Sequence, residues 1–196
     1  MAAPSSPKEF FDKYVPEKLK GMPDLTFPDL GVEMEVMVIG PGGGEWTMKS
    51  AGGKPQVKAG KASNPLITLA TTTGAFDLFL KRAGGELDKD FSKQAQMMTK
   101  MAPDKDKVEQ IRTQLQGTMK FTITTNDGKE ESAAVGFNGI DFDSPRCTIK
   151  TTEAELNEIR DMKMPPQQAF MAGKIRLEGD MSLAMQAGML LMMPPQ

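Results

Sequence analysis

Residues 164–185 read MPPQQAFMAGKIRLEGDMSLAM, and they pass from loop to strand, tight turn and apolar helix without interruption. Residues 174–178 alternate charged and apolar side chains, which is the period-two pattern of a strand with one buried face. Gly179 is expected to end that strand. Asp180 is a predicted N-cap, because its carboxylate can accept hydrogen bonds from the free amides of the next turn. The helix is therefore predicted to begin at Met181.

Methionines recur along this predicted helix at positions i, i+4 and i+8, as Met181, Met185 and Met189. The apolar run continues to residue 193, where two prolines stop it. Two interpretations stay open. The stripe alone favours ordinary core, because amphipathic helices usually bury their apolar face. A methionine-lined wall can also repack around apolar ligands of different shape, because the side chain is unbranched and polarizable.

The pattern P-x-x-A-F-x-x-G-K-I-x-L-x-G-D-M-x-L-A-M over residues 166–185 resembles the closing segment of the sterol carrier protein 2 family. The resemblance implies small intracellular domains that hold lipids in an apolar tunnel. It also implies an α+β fold in which helices cover one face of a mostly antiparallel sheet. A lipid binder is therefore expected, and not a catalyst.

Composition excludes several classes of function. Lys and Arg total 24 against 26 acidic residues, so no basic field favours nucleic acid. The absence of histidine removes the commonest general base and a usual zinc ligand. Asp141 and Asp143 were weighed as acid-base residues, but paired acids in a loop are common turn formers. Neither a cofactor nor a metal is expected.

The single cysteine, Cys147, falls in a predicted strand and is expected to be a small buried hydrophobe in a reducing compartment. No run of about 20 apolar residues is long enough to span a bilayer. The first residues lack the charged and apolar regions of a signal peptide. A cytoplasmic protein is the resulting expectation.

Local signals predict the remaining elements. Ser6 is expected to cap a first helix, with Glu9 completing a capping box and Pro16 breaking the helix. The predicted strands are 32–39, 45–49 and one that includes residues 66–69, with a glycine-rich turn at 41–44. Later elements are a short helix at 75–82, helical stretches at 86–101 and 105–116, a strand at 117–123, a turn at 126–128, and a helix capped by Thr152 and Glu155.

The chain is also predicted to repeat itself. Residues 65–76 correspond to residues 145–156, strand into helix in both, and residues 117–123 follow the alternation of the first strand. Three regions follow from this: an incomplete copy at 6–85, a helical connector at 86–116, and a copy with closing strand and helix at 117–193. The first copy has no counterpart of residues 173–185.

The resemblance implies a pocket in the C-terminal copy. Its expected lining is Leu156, Ile159, Phe170, Ile175, Met181, Leu183, Met185 and Met189. The first copy has three alternatives: no tunnel, a tunnel walled by the connector, or a cavity shared with the second copy. One competent pocket, in the C-terminal copy, is the preferred arrangement.

The leading functional hypothesis is non-catalytic binding and transfer of an apolar lipid, such as a sterol, a fatty acid or a fatty acyl-CoA. Any membrane contact is expected to be transient. The alternative is a lipid-free assembly module that uses the methionine-rich C-terminal helix as an interface. Substitution of Met185 by Glu separates the two hypotheses, since a carrier loses ligand and an interface changes its oligomeric state.

Overall fold

One eight-stranded sheet joins the two halves of the chain in a computed structural model that describes residues 4–22, 25–83, 91, 93, 95 and 104–192. The strands are β1 Glu33–Ile39, β2 Gly44–Ala51, β3 Lys54–Ala59, β4 Pro65–Thr72, β5 Gly117–Thr124, β6 Glu130–Phe137, β7 Cys147–Thr152 and β8 Arg176–Gly179. Their order across the sheet is β3-β2-β1-β4-β6-β5-β7-β8.

Six helices are described. The first, α1, passes from α-helical Pro7–Glu9 through π-helical Phe10–Tyr14 to α-helical Val15–Lys20. The others are α2 Thr73–Ala83, α3 Lys105–Gln114, α4 Glu153–Arg160, α5 Pro166–Met171 and α6 Met181–Met192. The α+β class expected from the resemblance is confirmed.

The two halves have the same strand topology. In the first, β1 pairs antiparallel with β2 and parallel with β4. In the second, β5 pairs antiparallel with β6 and parallel with β7. The halves join where β4 pairs antiparallel with β6. Duplication of the sequence stays a prediction, but the strand arrangement is compatible with it.

Each half completes the sheet of the other. In the second half β8 is the antiparallel neighbour of β7, and in the first half β6 takes the equivalent place beside β4. Likewise β3 lies beside β2, and β4 takes the equivalent place beside β6. The first half therefore forms a complete set of strands although its sequence lacks a closing strand.

Two apolar cores lie against the sheet. The first contains aromatic residues of α1 and α2 with side chains of β1 and β2: Phe10, Phe11, Tyr14, Val15, Val36, Val38, Trp46 and Phe76. The second contains residues of α3 and α6 with side chains of the middle strands: Leu66, Val108, Ile111, Leu115, Met119, Phe137, Cys147, Leu183 and Ala187. Burial of Cys147 confirms the expectation for the single cysteine.

Two local predictions for α1 are wrong. The helix does not break at Pro16, because a π-helical turn just before it widens the backbone and makes room for a residue without an N–H. Ser6 caps the helix as predicted, accepting from the amide of Glu9. The Glu9 carboxylate, however, accepts from the amide and hydroxyl of Ser5 at 2.9 Å, so the predicted reciprocal capping box does not form.

Two elements were not predicted. The edge strand β3 contains one strongly apolar residue, Val57, so its alternation is too weak to identify. The short helix α5 falls in a segment predicted as loop, and its N-terminus has prolines in place of a side-chain cap. The predicted helical stretch at 86–101 lies mostly outside the described residues, as do residues 193–196 beyond α6.

Candidate functional site

Asp180 fixes the start of α6. Its Oδ1 accepts from the amide of Ser182 at 2.9 Å and from the amide of Leu183 at 3.2 Å. These hydrogen bonds, led by the one from the Ser182 hydroxyl, lower the pKa of Asp180 to about 2, and Arg146 adds to the effect. The carboxylate is therefore charged near neutral pH, and it lies at the end of the helix where the dipole favours a negative charge. The predicted N-cap is confirmed.

The two sides of α6 face different environments. Leu183 and Ala187 are buried in the second core, with Leu183 only 2% exposed. Met181, Met185 and Met189 are 48%, 61% and 57% exposed. The three methionines form the stripe that the sequence predicted, and the stripe is not part of the core. We call these three residues the methionine stripe.

The middle of the sheet carries apolar side chains that are not fully covered. Leu69 lies on β4, an inner strand, and is 38% exposed. It pairs with Val36 on one side and Val135 on the other. Because directly paired residues point to the same face, Leu69 lies on the face that carries both cores. It marks a gap between them.

The gap continues across the second half of the sheet. Phe121 pairs with Ile149, and Ile149 pairs with Leu177. All three side chains, and Val135, are only partly buried and pack at the margin of the second core. The resulting surface, which we call the apolar strip, consists of Leu69, Val135, Phe121, Ile149 and Leu177. It crosses five strands, β4, β6, β5, β7 and β8.

Helices from both halves border the strip. The first-half helix α2 packs on β1, β4 and β6, and exposes the ring of Phe79. The closing helix α6 packs on β5, β7 and α3. A ligand on the strip would therefore contact elements of both halves. This arrangement corresponds to the third alternative of the sequence analysis, a shared site, more closely than to a pocket within the C-terminal copy alone.

The predicted lining residues fall into three groups. Leu183 is buried in the core, on the opposite side of α6 from the methionine stripe, because two residues along a helix turn the side chain by about 200°. Phe170 and the three methionines are exposed. Leu156, Ile159 and Ile175 are partly buried. The helices α4 and α5 pack against each other, and α4 packs on β7, as α6 does.

The strip residues were missed by sequence reasoning. Phe121 and Ile149 belong to predicted strands, so their alternation gave a face but not an exposure. Leu69 belongs to a strand whose neighbours were unknown, and its place in the centre of the sheet depends on pairing between residues 66 apart in sequence. The one usable signal was the matched alternation of residues 65–76 and 145–156, which placed both strands in equivalent positions.

The ionisable groups near α6 favour a structural interpretation. Burial raises the pKa of the Cys147 thiol, and the charge of Asp180 adds to the increase. A thiol with a raised pKa is a poor nucleophile at neutral pH. Within the described part of the chain, no cluster of acidic or cysteine side chains is arranged to hold a metal ion. Across the same residues, no helix is both long and apolar enough to cross a membrane.

Solved structures of three proteins illustrate the similarity. Palmitated SCP2L2 from Aedes aegypti is 21% identical, with 46% of this chain and 95% of that chain covered, at a TM-score of 0.33. The sterol carrier protein domain 2 of Helicoverpa armigera is 26% identical, with 42% and 72% covered, at 0.31. The sec-alkylsulfatase Pisa1 from Pseudomonas sp. is 16% identical, with 40% of this chain but 13% of that chain covered, at 0.26.

No curated protein matches the chain. The sequence model of the SCP-2 sterol transfer family matches residues 95–192, which is half of the chain. The matched region includes α3, the strands β5 to β8 and the capped helix α6. The chain therefore belongs to the SCP-2 sterol transfer family.

Proposed function

We propose that this protein binds an apolar lipid on the strip between α2 and α6 and carries it without covalent chemistry. The observation that supports the proposal best is the half-exposed apolar strip on inner strands of the sheet, beside an exposed methionine stripe. Apolar side chains on inner strands are ordinarily sealed by the layer above them, so a gap at this position suits a ligand that supplies the missing contacts.

The apolar area favours an extended chain or a flat ring system. Burying one methylene group contributes about 0.8 kcal/mol, so about ten methylenes supply the free energy of micromolar binding. Sterols, fatty acids and fatty acyl-CoA all offer that much apolar surface. The methionine stripe supports a tolerant site, since methionine repacks around ligands of different shape.

We assign the ligand contacts to the strip together with part of the predicted lining. The methionine stripe and Phe170 offer exposed apolar surface, and Leu156, Ile159 and Ile175 offer partly buried surface. Leu183 supports the site indirectly, because its burial orients α6. We also propose that residues 6–85 form an incomplete copy and residues 117–193 a copy with its own closing strand and helix, joined by the connector at 86–116.

The first experiment is native mass spectrometry of protein purified under mild conditions, before and after delipidation. A carrier should retain a lipid adduct that leaves on delipidation and returns when palmitate, palmitoyl-CoA or cholesterol is added. The mass and stoichiometry of the adduct would identify the lipid class. An apo mass that stays unchanged with all three additions would contradict the proposal.

Met185→Glu tests the site itself. A carboxylate on the methionine stripe should weaken lipid binding by at least about tenfold, because the bound chain would desolvate an unpaired charge. Met162→Glu is the matched control, since Met162 is 92% exposed and lies in the loop after α4. Equal loss of binding in the two variants would contradict a site at the stripe.

The same stripe is the observation that favours the alternative, an assembly module. Three exposed methionines on one helix form an apolar patch of the kind that marks protein interfaces. Size-exclusion chromatography with light scattering distinguishes the two functions. A carrier keeps its oligomeric state on Met185→Glu and loses lipid, whereas an assembly module changes its oligomeric state and has no lipid to lose.

A further inference from the structure

A second apolar site lies in the first half of the chain, outside residues 95–192 that carry the family match. It is a cavity of about 150 Å³ between the segment before β1 and the sheet. Its walls include Phe27, Leu30, Val32, Met34 and Met48. Met34 and Met48 are direct neighbours on β1 and β2, so the floor of the cavity is a pair of flexible, polarizable side chains.

The volume limits what can enter. An engineered apolar cavity of about 150 Å³ in another protein binds benzene, a group of about six carbons. Sites for whole drug-sized ligands are about 300–1,000 Å³. A sterol nucleus therefore does not fit this cavity, whereas the end of a short alkyl chain does.

A polar cleft adjoins the cavity. The two share Val32, Lys49 and Ser50, and the cleft measures about 430 Å³. It is lined further by Asp29, Glu33 and Arg112. An apolar cavity that opens on a larger polar cleft matches a ligand with a short apolar tail and a polar head.

The charges of the cleft favour an anionic head. The Asp29 carboxylate accepts from the amide of Gly52 at 2.8 Å. The Glu33 carboxylate accepts from the amide and hydroxyl of Ser63 at 3.1 Å, and its other oxygen lies 3.8 Å from Lys49 Nζ. Among the residues that the structure describes, the Arg112 guanidinium has no ion pair or hydrogen bond. Arg112 is thus the cation of the cleft that is left for a ligand.

We propose that this cavity and cleft bind an anionic amphiphile with an alkyl tail of about six carbons, its tail between Met34 and Met48 and its charged head facing Arg112. The site differs from the apolar strip in position, in size and in its requirement for a charge. It can therefore be occupied or empty independently of the lipid site.

Hexanoate, hexyl phosphate and hexan-1-ol are the probes, and methionine methyl groups are the reporters. In protein labelled with ¹³C at methionine methyls, hexanoate should shift the Met34 and Met48 signals, assigned by Met→Leu substitution, and leave Met185 unshifted. The dissociation constant is expected on the order of 1 mM, because only five methylenes are buried. Palmitate should shift Met185, so failure at one site is distinguishable from failure at the other.

Arg112→Gln tests the head. It should weaken hexanoate and hexyl phosphate about threefold, as expected for an exposed charge pair, and leave hexan-1-ol unchanged. Arg176→Gln, an exposed arginine on β8, is the control and should change none of the three. The site is overturned if hexanoate shifts only Met185, if no methionine responds at tens of millimolar, or if Arg112→Gln and Arg176→Gln have equal effects.

Discussion

Arg146 and Asp180 join the start of β7 to the start of α6 by an ion pair, and the amide of Asp180 also donates to the carbonyl of Arg146 at 2.7 Å. The guanidinium also donates to the carbonyl of Gln116, just before β5. Gly179 lies between strand and helix at φ +87°, and a Cβ there would lie 2.3 Å from the carbonyl oxygen of Arg146. This close approach sets the direction in which α6 leaves the sheet.

Removing the cap should weaken α6. Asp180→Ala deletes the carboxylate that accepts the first amides of the helix and pairs with Arg146. We expect the melting temperature to fall by about 2–4 °C, the usual result of losing an N-cap in a domain of this size. Circular dichroism measures it. Asp143→Ala, an exposed acid in the preceding loop, is the control and should leave the melting temperature unchanged.

Acid should destabilise the protein through the same group. The pKa of Asp180 is lowered to about 2, so its native-state hydrogen bonds stabilise the fold above the unfolded-state value of about 4. As the pH falls from about 4 to about 2, the unfolded state binds the proton first, and stability is lost. Asp127, whose pKa Lys129 and Thr125 lower to about 2, acts in the same direction.

Thermal melts of wild type and Asp180→Asn between pH 5 and about pH 1.5 test this linkage. Asparagine still caps a helix but does not titrate, so the variant should lose less stability than wild type over that interval. Parallel curves for the two proteins would show that Asp180 does not contribute to the acid dependence.

Substitutions on the two sides of α6 should have opposite consequences. Leu183→Ala opens a cavity in the second core and should lower the free energy of unfolding by about 2–5 kcal/mol. Met185→Ala, on the exposed stripe, should change it by less than about 0.5 kcal/mol while weakening lipid binding. Urea denaturation and lipid titration of both variants check the pair. Equal destabilisation would contradict the orientation of the helix.

Trp46, the single tryptophan, should stabilise the first half. Its Nε1 donates to Asp12 Oδ1 at 2.6 Å, and its ring stacks on Phe11 with centroids 4.7 Å apart. Trp46→Phe keeps an aromatic ring but removes a hydrogen bond to a charged group, which should lower the free energy of unfolding by about 1.5–3 kcal/mol. Urea denaturation followed by circular dichroism measures the loss. Asp12→Asn, which keeps an acceptor, should lose less.

The Cys147 thiol should be unreactive in the native protein. It is completely buried, and burial raises its pKa. A thiol-exchange reagent at about pH 8 should therefore react with it only after denaturation, because the thiolate is the reacting species. Fast reaction in the native state would contradict the packing of α6 over β7.

Sequence reasoning succeeded where the signal is local. The Asp180 cap, the start of α6 at Met181, and the capping box of Thr152 and Glu155 all depend on groups within four residues of one another. It failed where a local rule was overridden, as at Pro16, or where alternation was weak, as in β3. The lining residues of the site were divided for a similar reason, since Leu183 and Met185 look alike in a sequence but face opposite sides of one helix.

The sequence by itself determined the elements, the caps, the methionine stripe and the family, because periodicity and capping are short-range properties of the chain. The tertiary structure decided that β4 pairs with β6, that each half completes the sheet of the other, and that Leu69 lies in a gap between two cores. These features depend on contacts between residues far apart in sequence. Only the folded chain brings Leu69 and Val135 side by side, and so only the fold creates the surface on which a lipid is proposed to bind.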